Sequence, residues 1–312
     1  NVVFKQFENI DEIILDMNEN ETYMLVPLME YLDTILSKDY KVVYHFSDIK
    51  EYYVLSLSDD KLSSVLKKYY NKWNNEFDNV YNDNLFKTFT SAMNITDTEV
   101  DSMQSITYNY GFVNASPYEV ILGGKYGGIV AVYLSNFSKF ADIDLYFNYY
   151  NFTDDFYQTD GISIEYVIAA RRDNSTVIKS IYSLIGETVY VQENSKIYDY
   201  IKNISDINIK TFSTTKDLFK LNKKDVFIIL DKNTFDYYSD NKLDNYTGRY
   251  EDFISNEYTF KVRTNSALYR LLDKYIGVMD ENKLVIEGLN NHYDTIKSGN
   301  IITKIAEYIL LI

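Results

Sequence analysis

The residues able to do chemistry in this chain are few in kind. Cysteine is absent, and the two histidines, His45 and His292, stand beside no nucleophile in the sequence. Disulfides, thiolate metal sites, cysteine nucleophiles and a Ser-His-Asp relay therefore all lack their parts. Asp16, Asn18 and Asn20 fall at the first three ligand positions of a calcium loop, but Glu21 stands where that loop needs Gly and Pro27 where it needs its closing Glu. The segment reads as a plain loop. Gly123, Gly124, Gly127 and Gly128 form a cluster without a P-loop lysine or the G-x-G-x-x-G spacing. A hairpin turn ahead of a helix accounts for them better than a phosphate cradle does.

Tyrosine remains. The chain holds 32 of them, and tyrosine joins a flat apolar face to a polar tip, which suits the wall of a ligand cleft. Tyr146, Asn148, Tyr149, Tyr150 and Asn151 cluster at the end of an apolar run near Leu145. In α/β folds ligands sit outside the carboxyl ends of strands, so this cluster is a candidate lining; plain packing is the alternative. Ser195 stands at a helix start, where it either presents free backbone N–H groups to an anion or serves as an ordinary N-cap.

These residues need elements to hold them, and the elements repeat. The stretch from Glu51, EYYVLSLSDDKLSSVLKKYY, returns from Glu257 as EYTFKVRTNSALYRLLDKYI, an offset of 206 residues. Leu62, Val65, Leu66, Tyr69 and Tyr70 fall on Leu268, Leu271, Leu272, Tyr275 and Ile276, the spacing of one helix face. Upstream, TYMLVPLMEYL matches VFIILDKNTFDYY, so Tyr31 meets Tyr237, and Asp11 meets Asp217. A repeat of that length is a domain rather than a solenoid unit. Residues 106 to 207 should then have a counterpart ahead of the first copy, and Asn1 begins too late to include it. The expectation is the tail of one module, residues 1–73, a helical connector over 74–105, and most of a second module over 106–312.

Apolar runs of strand length alternate with amphipathic stretches, which predicts helices covering a largely parallel sheet. In the first copy the expected order is strand 2–7, helix 10–15, strand 23–26, helix 28–36, strands 41–46 and 52–57, and helix 62–73. A capping box at Thr96 and Glu99 marks a helix start in the connector. The second module opens with a strand over 106–112, followed by the glycine turn, a helix, and strands over 143–147, 164–170 and 188–192.

Composition sets the outer limits. With 46% hydrophobic residues the chain can bury a core, and a net charge of -15 repels phosphate backbones and anionic lipid, so nucleic acid is not expected as a partner. No apolar run reaches the roughly 20 residues that span a bilayer. Eight N-x-S/T sequons are what so Asn-rich a chain generates by chance.

The run SPYEVILGGKYGGIVAVYL resembles the opening of type 2 periplasmic solute-binding proteins of the amino-acid-binding kind, with an aromatic after Pro, a turn, and a Gly-hydrophobic helix start. DIDLYFNYYNFT is similar to the family strand that delivers polar residues to the cleft. EYVIAARRDNS resembles the crossing into the second lobe, LIGETVYVQENSKIYDYI its first strand and helix, and KDVFIILDKNTFDYY the strand ending in a cleft Asp, here Asp231. The fold implied is an α/β bilobed flytrap in tandem copies, the first truncated, with lobe 1 over about 106–170 and 259–312 and lobe 2 over about 171–258. By the same resemblance the ligand-binding residues are Tyr118, Asn148, Tyr149 and Thr153 from one lobe and Ser195 and Asp231 from the other, with no catalytic residue, metal or cofactor.

Three departures qualify the ligand. About 20 residues of family structure have no place between Phe140 and Asp142, Val132 stands where the first helix often carries Asp, and Asp154, Asp155 and Phe156 follow Thr153 where the family has its carboxylate-binding Arg. The cleft is thus expected to favour a neutral or cationic small molecule. Tandem modules with a helical connector look like the extracellular sensor regions of bacterial membrane signalling proteins such as diguanylate cyclases, phosphodiesterases and histidine kinases. That resemblance implies the extracellular or periplasmic face of the cytoplasmic membrane, with attachment through segments outside this chain. A substrate-binding protein of an ABC importer, a dehydratase on the same fold, and a degenerate module serving only homodimerisation are the alternatives.

Overall fold

The computed structural model describes residues 3–20, 22–46, 49, 56–75, 77–150, 157–220, 225–240, 242–251, 256–263 and 266–310. The chain divides into two units, Asn1–Thr96 and Asp97–Ile312.

The first unit is helical among its described residues: α1 (Ile10–Asn20), α2 (Leu32–Ser37), α3 (Asp60–Asn75) and α4 (Phe77–Ala92). Helices α2 and α4 pack together, and Leu32, Ile35, Leu36, Leu85 and Phe89 are buried. The strands expected over 23–26 and 41–46, and over the described part of 2–7, do not form; most of 52–57 lies outside the described residues. An apolar run becomes a strand only when a neighbour completes its hydrogen-bond ladder, and no described segment of this unit runs beside these. Helix α3 does form, yet the face that repeats in the second copy is bare: Val65 is 62% and Tyr69 65% exposed.

The second unit opens with α5 (Asp97–Gln104), β1 (Thr107–Phe112), the hairpin β2 (Val120–Leu122) and β3 (Lys125–Gly127), and α6 (Ile129–Ala141). Then come β4 (Asp144–Tyr149), β5 (Tyr157–Ile164), β6 (Tyr166–Arg171), β7 (Thr188–Gln192), α7 (Lys196–Ile201), β8 (Asn208–Phe212), α8 (Thr215–Leu218), β9 (Val226–Asp231) and α9 (Lys232–Ser239). The unit closes with β10 (Tyr246–Glu251), β11 (Asn256–Val262), α10 (Ala267–Val278) and α11 (Glu281–Leu310).

Two lobes follow from the pairing. In the first, β1 and β4 pair in parallel and α6 packs on α11. Helix α6 passes straight into β4 through Asp142, a left-handed residue whose N–H, with that of Ile143, caps the helix by donating to the Ser138 carbonyl. This two-residue turn is the structural form of the short Phe140–Asp142 connection. The second lobe is a five-stranded sheet in the order β10-β6-β9-β7-β8. Strands β7, β8 and β9 are parallel, but β6 runs antiparallel to β9 and β10 antiparallel to β6, so the sheet is mixed rather than largely parallel. Only β6, the strand that enters the lobe, runs against the other four; β10, which leaves it, runs in the direction of β7, β8 and β9. Ile168, Val189, Val191, Phe227 and Ile229 bury one face of the sheet, and Val167, Ala169, Ile228 and Leu230 the other. These near-continuous apolar strands are what a sheet covered on both sides requires.

The expected long strand over 164–170 is two strands. Strand β5 pairs with β11, and after Glu165 the chain continues as β6 inside the second sheet. Residues 166–170 thus pair with the second lobe although the sequence reading assigns them to the first; a run interrupted by one Glu does not show where its pairing partner changes.

Candidate functional site

Pro117 and Tyr118 lie between β1 and the β2–β3 hairpin, and the start of α6 fixes them. The N–H groups of Ile129 and Val130 donate to the carbonyls of Pro117 (3.2 Å) and Tyr118 (2.9 Å). Gly128, at φ +95°, allows that approach, since a Cβ there would sit 2.5 Å from the Pro117 oxygen. The N–H of Gly128 itself donates to Asn291 Oδ1 on α11. The amides at the start of this helix are therefore committed to the chain's own carbonyls and not to an anion.

Tyr118 is buried, and its ring stacks on that of Tyr258 from β11, with centroids 4.7 Å apart and planes 3° from parallel. Its hydroxyl reaches the other lobe, donating to Asp231 Oδ1 (3.1 Å) and accepting from Asn233 Nδ2 (3.2 Å). Asp231 ends β9 and caps α9, its Oδ1 also accepting from the Thr234 N–H at 2.8 Å. Burial raises the Asp231 carboxyl above its ordinary value, although the bonds from Thr234 and Tyr118 pull the other way. Burial, and then the Asp231 charge, push the Tyr118 hydroxyl well up, so it stays protonated and donates.

Directly beneath lies Glu119, 1% exposed. Its carboxylate accepts from the hydroxyls of Tyr110 (2.9 Å) and Tyr258 (2.7 Å) and from the Val113 N–H. Three neutral donors, from β1, the residue after it and β11, take the place of water around a buried charge. Burial, with the charge of Glu119 second, raises both tyrosines and keeps them as donors. Tyr166 at the start of β6 accepts from Asn256 Nδ2 (2.9 Å), tying together the two strands that cross between lobes. The arrangement is thus a satisfied carboxylate, Glu119, behind a wall of tyrosine, and a second, Asp231, placed to take a hydrogen-bond donor or a cation; the described contacts of this site include no Arg or Lys side chain.

Of the predicted residues, Tyr118 and Asp231 meet across the lobes. Asn148 and Tyr149 sit at the end of β4, where Asn148 donates to Asn109 Oδ1 (2.7 Å) and the largely exposed Tyr149 packs edge-on to Tyr126. Ser195 caps α7, accepting from the Tyr198 N–H (3.2 Å) and donating to the Gln192 carbonyl (2.6 Å). Thr153 lies outside the described residues. Sequence reasoning missed Glu119, Tyr258, Asn233 and Tyr110. The only signal was the adjacency of Glu119 to Tyr118, because the donors that satisfy it come from separate segments.

Helix α9 makes a further cross-lobe contact. Tyr237 meets His292 of α11 edge to face, ring centroids 4.2 Å apart. His292 is fully buried, neither ring nitrogen has a hydrogen-bond partner among the described residues, and desolvation lowers its pKa to about 4.

No protein-family model matches the sequence and no curated protein matches it. Among solved structures the chain is similar to an ancestral cationic amino acid solute-binding protein, at 15% identity over 61% of this chain and 99% of that one, with a TM-score of 0.50. It is also similar to a mutant of ArgBP from T. maritima (16% identity, 62% and 100% covered, TM-score 0.47). A third is an amino acid ABC transporter substrate-binding protein from Streptococcus pneumoniae bound to L-arginine (12% identity, 62% and 98% covered, TM-score 0.46). The first of these likenesses establishes the fold: the chain carries the bilobed α/β architecture of type 2 periplasmic binding proteins.

Proposed function

We propose that the second unit binds a small solute between its lobes, and that it does so as the extracellular sensing region of a membrane-bound bacterial signalling protein, passing lobe closure across the membrane. The observation that carries the binding reading is the bond from Tyr118 to Asp231, which joins the lobes through polar side chains at the mouth of the strands, where this fold takes its ligands. A hinge at Glu165, where β5 passes into β6, gives closure a mechanical basis. The ligand is neutral or cationic, because the charged side chains described at the site are carboxylates, beside tyrosine hydroxyls and the Asn233 amide. Solved structures of similar fold include arginine-bound proteins, which makes arginine the first probe.

The sensor role draws support from the duplicated sequence, since importers commonly dock one flytrap at a time. The importer reading uses the same cleft and differs only in what the closed lobes touch. A thermal-shift screen against arginine, other amino acids, polyamines, nucleosides and organic acids tests the binding step. A ligand at 100 times its dissociation constant stabilises by about 2.7 kcal/mol. A shift that Asp231→Ala removes supports a working cleft; a folded protein with no shift anywhere in the set refutes it.

A further inference from the structure

The cleft is closed by its own side chains. Helix α9 supplies three cross-lobe contacts: Asp231 at its cap and Asn233 in its first turn both bond the Tyr118 hydroxyl, and Tyr237 packs on His292. On the first lobe Tyr118 cannot retreat with its backbone, which α6 and Gly128 hold, and its ring is stacked on Tyr258. When the lobes part, Asp231 leaves with α9 while Tyr118 stays. In the closed form the Tyr118 hydroxyl and the Thr234 N–H both fall on Asp231 Oδ1, so a ligand donor directed at that oxygen competes with the tyrosine.

We propose that Tyr118 is an internal competitor for the cleft: its hydroxyl latches Asp231 in the ligand-free protein, and the ligand class able to displace it is an organic cation bearing an ammonium or guanidinium group. The proposal rests on the solute-binding reading above. A neutral donor arriving at Asp231 exchanges one neutral hydrogen bond for another and gains little. A cationic donor forms a charge-assisted bond, roughly twice as strong, and supplies the counter-charge that the buried carboxylate lacks among its described partners. Because the latched form does not bind, the apparent affinity of every ligand falls by the fraction of molecules that are open. Removing the hydroxyl should raise that fraction, and with it the affinity for a cationic probe, by on the order of tenfold, the worth of one such bond.

The experiment uses the whole chain, whose lack of cysteine allows spin labels at Lys139→Cys on the first lobe and Glu193→Cys on the second. Inter-label distance is measured in wild type and in Tyr118→Phe, with and without arginine, agmatine, putrescine or 1,4-butanediol, and binding is followed by calorimetry. The expected result is an unchanged distance in wild type on adding a cation. In Tyr118→Phe the ligand-free distance should be longer, shorten on adding the cation, and be accompanied by affinity about tenfold tighter, with butanediol silent in both. If ligand-free Tyr118→Phe has the wild-type distance, or binds the cations no more tightly than wild type does, the latch is refuted. If Tyr118→Phe opens but takes none of the four probes, the latch stands while the ligand class and the solute-binding reading beneath it fall. Equal binding of butanediol and putrescine overturns the charge selection alone.

Discussion

Acid should weaken the second unit through one residue. His292 is 0% exposed, both of its ring nitrogens lack partners among the described residues, and it packs edge-on against Tyr237 of the opposite lobe. Burial holds its pKa at about 4 against an ordinary 6.5. The native state therefore binds fewer protons than the unfolded chain between those two values, and stability falls as pH drops through that window. The full effect is about 3 kcal/mol, of which about 2 kcal/mol is already lost at pH 5 relative to pH 8. The described carboxyls that burial raises, Asp231 and Glu281, work in the other direction, since each destabilises as pH climbs past its unfolded value. A raw pH profile mixes these slopes, and comparison with His292→Leu isolates the histidine. The assay is urea unfolding at pH 8 and pH 5, read by near-ultraviolet dichroism of the tyrosines. The single tryptophan, Trp73, lies in α3 of the first unit and reports that unit separately. His292→Leu should match or exceed wild type at pH 8, because it removes two unsatisfied nitrogens, and should lose about 2 kcal/mol less on going to pH 5. Parallel losses in the two proteins would refute the reasoning, since they would mean that His292 finds a partner or water in the native state.

Asp231→Ala removes both a helix cap and the acceptor of Tyr118, and should cost about 2 kcal/mol in the same unfolding assay, about half of it from the cap. Gly128→Ala forces a Cβ onto the Pro117 and Tyr118 carbonyls at positive φ, for a loss of about 2 kcal/mol or more and a blue-shifted, less structured tyrosine dichroism band. Glu119→Leu strands the Val113 N–H and two tyrosine hydroxyls, and should destabilise by about 3 kcal/mol or more; Glu119→Gln, which keeps an acceptor, should cost less than half of that. The matched pair Val65 and Leu271 makes a sharper contrast, as the first is 62% exposed and the second fully buried. Leu271→Ala should cost about 2–5 kcal/mol and Val65→Ala less than about 0.5 kcal/mol by urea titration.

What the sequence disclosed and what it withheld divide along a physical line. Local signals were legible: Ser195 caps α7 where a Ser before an apolar run should, and the Gly123-Gly124 pair turns a hairpin with both residues at positive φ. Tyr118 and Asp231 came from the family resemblance, which implies an aromatic after Pro in one case and a strand-ending cleft Asp in the other. Pairing was less legible. The run through 164–170 is broken only by Glu165, and a single charged residue does not say that the ladder partner changes there from β11 to β9 and β10. The runs over 23–26 and 41–46 carry strand composition and form no strand, because that composition describes a surface that fits a neighbour and does not supply one.

The same line explains Glu119. Burying a carboxylate without a cation is forbidden by its desolvation cost until enough donors converge, and convergence belongs to the tertiary structure. Tyr110 lies nine residues before Glu119 and Tyr258 lies 139 after it, yet both hydroxyls end on one oxygen. That constraint runs on into function. Because Tyr258 is tied to Glu119, its ring has a fixed plane; because that ring is stacked on Tyr118, the hydroxyl of Tyr118 has a fixed direction; and that direction ends on Asp231 of the other lobe. A carboxylate that touches neither Asp231 nor α9 thereby sets where the latch closes. Loosening Glu119 should therefore open the lobes even with Tyr118 and Asp231 intact, an outcome that spin labels on the Glu119→Leu protein would detect, with Glu119→Gln, which keeps an acceptor for Tyr258, staying closed.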